Sequence, residues 1–160
     1  MSSTISDRDF KTAMGRFLTG VSVVSCIRAD GSAYGLTVNS FSSVSLNPRL
    51  VLWSLIKDNS SVDDFANAAS FSIAFLAADQ GDLCQRFATE HKDRYESVAW
   101  HKGITGAPII ENALTVLECT PWAQYDGGDH VIHVGEVTAI HHNDEMNKPM
   151  SYFSGKVNEI

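Results

Sequence analysis

Two short runs rich in apolar and β-branched residues, at positions 21–27 and 33–39, flank the dipeptide Asp30-Gly31. An Asp-Gly pair supplies the positive backbone torsions that a tight turn needs and matches the twist of antiparallel strands, so the spacing predicts a hairpin. No other feature constrains the fold more. The core starts as antiparallel β-structure, and the remaining segments must be compatible with a sheet built from neighbouring strands.

Ser6 followed by Asp9 has capping-box character, and Phe10, Met14 and Phe17 recur at i, i+4 and i+7, which predicts an amphipathic helix over 7–18. After the hairpin, residues 40–45 are polar. Asn47-Pro48 marks a turn, and residues 50–56, Leu-Val-Leu-Trp-Ser-Leu-Ile, read as a strand buried on both faces. Ser61 with Asp64 and Asp79 with Asp82 repeat the N-cap pattern around a strand at 71–77 and predict two more short helices. Loop signals run from Glu90 to Asn112, with strands after them at about 114–120 and 131–140. Six or seven strands with three short helices, lacking regular β–helix–β alternation, predict a mainly β fold: one closed or partly open antiparallel barrel over 1–160.

A chain of 160 residues with 44% hydrophobic content suits one continuous core. The N-terminus has neither a basic stretch nor an apolar stretch, which predicts no export, no membrane insertion and a cytoplasmic location. Cys26, Cys84 and Cys119 are odd in number and far apart, as expected of reduced structural thiols. A net charge of −7 would repel a nucleic-acid backbone, so no nucleic-acid partner is expected. Neither GxGxxG after a strand nor GxxxxGK[ST] is present, so any nucleotide site must be built differently. His130 and His133 lie three apart on a predicted strand and point to opposite faces, and His141-His142 share that defect, so no metal site is expected.

The densest unusual stretch is residues 35–48, Gly-Leu-Thr-Val-Asn-Ser-Phe-Ser-Ser-Val-Ser-Leu-Asn-Pro. Small hydroxyl residues let backbone N–H groups approach a ligand while their side chains add further bonds, which suits a phosphate or an acceptor-rich ring edge. A polar loop capping itself through Ser and Asn side chains is the plain alternative.

Together with residues 50–55, Leu-Val-Leu-Trp-Ser-Leu, this stretch closely resembles the flavin-binding segment of the flavin reductase-like family, the small reductase components of two-component flavin monooxygenases. Residues 14–24, Met-Gly-Arg-Phe-Leu-Thr-Gly-Val-Ser-Val-Val, resemble the family's opening helix and strand. Arg86-Phe-Ala88, residues 128–132 and residues 149–155 resemble later motifs in the same order. The resemblance implies an FMN-binding split barrel that dimerises with flavin near the interface. Its activity would be NAD(P)H:flavin oxidoreduction, with NADH favoured over NADPH and with FMN or FAD reduced for a partner monooxygenase. It places Thr37, Val38, Asn39 and Ser40 along the isoalloxazine, with Ser43, Ser54, Leu55 and Phe87 close by. Lys57, Ser60 and Ser61 match the phosphate side, where a lysine and a helix N-terminus favour an anion. His130 matches a histidine beside the flavin where the nicotinamide enters, and Tyr152 a tyrosine near flavin or dinucleotide. Ser154 and Lys156 stand where family members often carry arginine. Hydride transfer needs no protein nucleophile or metal, so the lack of a triad is compatible with catalysis. A flavoprotein with tightly held FMN acting on another acceptor, and a non-catalytic flavin-binding domain, remain open alternatives.

Overall fold

The Asp30-Gly31 hairpin forms, with Gly31 at φ +85°, where a side chain would be strained. In the computed structural model, which describes residues 5–89, 93–143 and 148–159, it joins the second and third of twelve strands. The expectations for the extreme N-terminus and for the onset of the loop at Glu90 lie outside the described residues. In chain order the elements are α1 (Asp7–Met14), β1 (Thr19–Gly20), β2 (Ser22–Ile27), β3 (Ala33–Val38), β4 (Ser42–Leu46) and β5 (Arg49–Ile56). They continue with α2 (Val62–Ala66), β6 (Phe71–Phe75), α3 (Gly81–Ala88), β7 (Trp100–Lys102), β8 (Pro108–Ile110), β9 (Thr115–Gly127), β10 (His130–His142), β11 (Met150–Phe153) and β12 (Lys156–Glu159).

Seven strands form an antiparallel sheet in the order β3-β2-β6-β9-β10-β5-β4. Its two terminal strands are consecutive in sequence, joined only by residues 39–41. Laid flat, six inter-strand spacings would separate them by ~29 Å, whereas the four peptide steps from Val38 to Ser42 reach at most ~14 Å. The sheet therefore curls into a barrel, and its seam lies between β3 and β4, which share no ladder among the described residues. The fold is a split β-barrel.

Two cores flank the wall made by β2 and β6. Val24, Leu36, Val51, Trp53, Phe65 and Phe71 fill the barrel. Val23, Leu76, Phe87, Tyr95 and Ile109 pack outside it, under α3 and the β7–β8 hairpin. Burial on both faces thus belongs to β2 and β6. In β5 it is confined to alternate residues Val51, Trp53 and Leu55, because no layer among the described residues covers the outer face. This corrects the expectation of a doubly buried β5.

Ser6 caps α1: its hydroxyl accepts the Asp9 N–H at 3.1 Å and donates to the Asp9 carboxylate at 2.7 Å. The helix stops at Met14 rather than Leu18, and Phe17 falls in the turn before β1, which pairs with β11. The polar stretch at 40–45, for which a self-capping loop is one alternative by sequence, contributes most of strand β4 (Ser42–Leu46), which lies on the sheet edge, where a serine-rich strand keeps its solvent face wet. The expected caps of α2 and α3 do not form. Ser61 makes no side-chain cap, and α3 starts after Gln80, whose Oε1 accepts the Ala77 N–H. The supposed loop before Asn112 contains the β7–β8 hairpin, and β9 and β10 each extend to thirteen residues. No described helix is long and apolar enough to cross a membrane.

Candidate functional site

The seam of the barrel gathers much of the expected site. Just beyond the last β4–β5 rung, Ser42 opposite Leu52, the Ser40 hydroxyl accepts the Ser54 N–H at 3.0 Å and donates to the Ser54 carbonyl at 3.1 Å. Phe41 turns inward and meets Phe75 edge-on at 4.9 Å between ring centroids, closing that end of the barrel. Asn39 is left exposed between them and β3.

Asn39 borders two clefts. One, about 430 Å³, is mostly apolar and is walled by Phe17, Leu18, Val21, Phe41 and Met150 together with Thr19. The Thr19 hydroxyl is buried with no hydrogen-bond partner. An apolar cleft of this size with a few unmatched polar groups fits an aromatic ring system carrying a polar edge. The other cleft, about 990 Å³, is more open and lies between α1, Asn39, Tyr152 and the β11–β12 turn. Tyr152 reaches it because β11 pairs with β1, placing Tyr152 opposite Thr19.

A second group of expected residues meets at the far end of β5. His130 is opposite Ile56, and the Lys57 N–H donates to the Asp129 carbonyl at 2.9 Å. The Lys57 ammonium lies 2.5 Å from the Asp126 carboxylate, and its hydrogen bond and charge hold the Asp126 carboxyl below the ordinary range. His130 Nδ1 is 2.7 Å from Asp129 Oδ1, a contact that likewise lowers the Asp129 carboxyl. His133 points the other way, as the three-residue spacing requires. It is buried and stacked on Trp53 at 4.6 Å, with its Nε2 unpartnered and burial pushing its pKa below the usual histidine value.

Other expected residues sit elsewhere. The Thr37 hydroxyl donates to the Cys84 carbonyl in α3 at 2.8 Å. Ser43 and Ser60 are exposed. Val38 and Leu55 turn their side chains into the barrel core, and their main chains lie in ladders opposite Ser22 and Val131, so neither offers a free group to a ligand, which corrects the expectation for both. Phe87 is fully buried in the outer core, T-stacked on Tyr95 at 5.0 Å; its place in the quoted motif reflects packing rather than an exposed ligand wall. Ser61 needs a similar correction. It is fully buried, its N–H and hydroxyl both donate to Asn59 Oδ1 at 2.9 and 2.6 Å, and the helix after it has only five residues, so it offers no open anion site.

Sequence reasoning missed Thr19, Phe41 and the cleft face of α1. Phe41 had a readable signal, as the sole aromatic residue in the serine-rich stretch. Thr19 had none, because its role depends on β11 folding back from the other end of the chain. Among the described residues no group of three or more His, Cys, Asp or Glu side chains is placed to hold a metal.

The family model for the flavin reductase like domain matches residues 14–160. The FMN reductase (NADH) SmoA of Agrobacterium fabrum is 41% identical over 150 residues, 94% of this chain and 84% of that protein. The reductase component of the flavin-dependent trigonelline monooxygenase of Acinetobacter baylyi is 40% identical over 130 residues; these span 81% of this chain but 42% of that longer protein. Among solved structures, the NADH:FAD oxidoreductase SgcE6 of Streptomyces globisporus, in complex with NAD and FAD fragments, has a TM-score of 0.90 at 32% identity, covering 99% of this chain and 97% of that one.

Proposed function

The chain belongs to the flavin reductase-like family, and from that premise we propose that it is an NADH:flavin oxidoreductase that supplies reduced FMN or FAD to a partner monooxygenase. Relatives named as an NADH-dependent FMN reductase and as a monooxygenase reductase component support the activity and the partner. The observation that carries the reading for this chain is the seam itself. Asn39 and the Ser40–Ser54 pair lie beside an apolar cleft that holds an unmatched hydroxyl.

Reduced nicotinamide supplies the hydride, and the isoalloxazine accepts it. The protein supplies orientation and electrostatics. Asn39 and the Ser54 hydroxyl would present donors for the polar ring edge, where negative charge would accumulate on reduction, while Ser40, committed to the Ser54 main chain, fixes that segment beside them. Thr37 holds α3 against that segment through Cys84, and Ser43 sits on the exposed edge nearby. Phe41 and Thr19 exclude water from the apolar side, and a dry site strengthens each donor. Lys57 and Ser60 serve a flavin phosphate, with Lys57 exchanging Asp126 for the ligand. His130, oriented by Asp129, positions the nicotinamide, and Tyr152 lines its approach.

The reading extends to a single domain over 1–160 acting as a homodimer. Supporting the dimer, α1 exposes Phe10 and Met14, and the edge strand β4 exposes Val44 and Leu46. Three buried free thiols suit a reducing, cytoplasmic compartment.

Steady-state oxidation of NADH and NADPH, with FMN, FAD and riboflavin varied in turn, tests the activity. Saturable NADH consumption that depends on added flavin supports it. Flavin that co-purifies and never exchanges favours the tightly held alternative. No turnover with any flavin overturns the reading.

A further inference from the structure

The α1 side of the larger cleft carries a concentration of charge that the proposed flavin contacts do not use. Arg8, Lys11 and Arg16 line it, against a single carboxylate, Asp7, in a chain whose net charge is −7. None of the three makes an ion pair with a described residue. Arg8 and Lys11 are one helical turn apart, where like charges repel unless an anion lies between or beside them.

The cleft is built rather than loose. The Ser154 N–H donates to the Gly15 carbonyl at 2.7 Å, fastening the β11–β12 turn to the end of α1. That turn has Ser154 at φ +51° and Gly155 at φ +78°, and β11 carries Tyr152 to the same wall. Asn39 forms the boundary with the apolar cleft. A ligand seated at the seam would therefore run out past Asn39 and Tyr152 into a wall of unmatched cations.

We infer that Arg8, Lys11 and Arg16 hold the pyrophosphate of the nicotinamide dinucleotide. The inference rests on the proposed NADH:flavin reading and adds a second anion site, separate from Lys57. Two exposed cations spaced along a helix suit two linked phosphates, Arg8 with a planar fork that matches phosphate geometry and Lys11 with a point charge on a flexible stem. The sequence concealed the site because these cations look like the solvated face of an amphipathic helix.

The test compares the double variant Arg8→Gln, Lys11→Gln with Arg49→Gln, Lys102→Gln, which removes the same net charge from exposed positions outside the cleft. The first should raise KM for NADH about tenfold and flatten its dependence on salt, with KM for FMN unmoved; the second should shift neither. Calorimetric binding of ADP-ribose, which needs no turnover, should weaken in parallel in the first variant only. Equal effects of the two variants on NADH, or a loss confined to FMN relative to riboflavin, would overturn the inference. Wild-type protein that binds ADP-ribose but reduces no flavin would defeat the oxidoreductase reading while leaving the anion site standing; failure to bind ADP-ribose would remove the site alone.

Discussion

One hydroxyl, that of Ser40, satisfies both main-chain groups of Ser54: it accepts the N–H at 3.0 Å and donates to the carbonyl at 3.1 Å. A side chain thus does the work of a strand partner where β4 has ended, and it stitches the barrel's open seam beside Asn39.

Ser40→Ala should therefore leave two backbone groups of β5 unpaired and destabilise the fold by about 1–2 kcal/mol. Urea unfolding would show the midpoint falling. On the proposed function the affinity for flavin should fall as well, and an unchanged affinity would remove Ser40 from the site.

Glu118 is fully buried and accepts from the Ile104 N–H, the Thr105 N–H and hydroxyl, and His141 Nε2, at 2.6 to 3.2 Å. Burial opposes ionisation, yet these bonds more than offset it and hold the carboxyl below its ordinary 4.5. The folded state then binds fewer protons than the unfolded state in that window. Its stabilisation is intact above pH 4.5 and is lost as pH falls through the folded value. Glu118→Gln, which turns one acceptor into a donor facing N–H groups, should destabilise by about 3 kcal/mol and abolish this acid-side loss in denaturant titrations at stepped pH.

A second and milder phase belongs to His133. Burial pushes its pKa below 6.5, so as pH drops the unfolded chain takes the proton first. Stability should be greatest above pH 6.5 and decline from there toward the folded value. His133→Phe keeps the stack on Trp53 and removes the unpartnered nitrogen, so stability measured at about pH 7.5 and about pH 5.5 should differ less than in the wild type.

Burial raises the Cys26 and Cys119 thiols to about 12, and it raises Cys84 as well. Thiolate is the reactive form. Native protein at neutral pH should resist an aromatic disulfide reagent at all three cysteines, and all three should react once denaturant unfolds the chain. Fast native labelling of Cys26 or Cys119 would contradict the packing described here.

Local chemistry was legible wherever a few adjacent residues decide the outcome. The Ser6–Asp9 cap, the Asp30-Gly31 hairpin and the opposite facing of His130 and His133 depend on spacing alone, and they read directly from the chain. The serine-rich stretch carries no strand signal, because an edge strand needs no apolar alternation; only its ladder to β5 makes residues 42–46 a strand. Ser61 and Asp79 carried a cap pattern that competing local side chains overrode, since Asn59 captured Ser61 and Gln80 captured the Ala77 N–H.

Local residue patterns alone make this chain antiparallel, mostly β and rich in hydroxyl and amide groups around residue 40. Turn dipeptides, β-branched runs and hydroxyl clusters act over a few residues, and no distant partner can reverse them. Closure of the barrel, the pairing of Ser40 with Ser54, the capture of Lys57 by Asp126 and the cleft between α1 and Tyr152 were decided only in three dimensions. Each joins segments far apart along the chain, and which of several possible partners a charge or hydroxyl meets is set by sheet register and curvature, quantities that no single stretch of residues encodes.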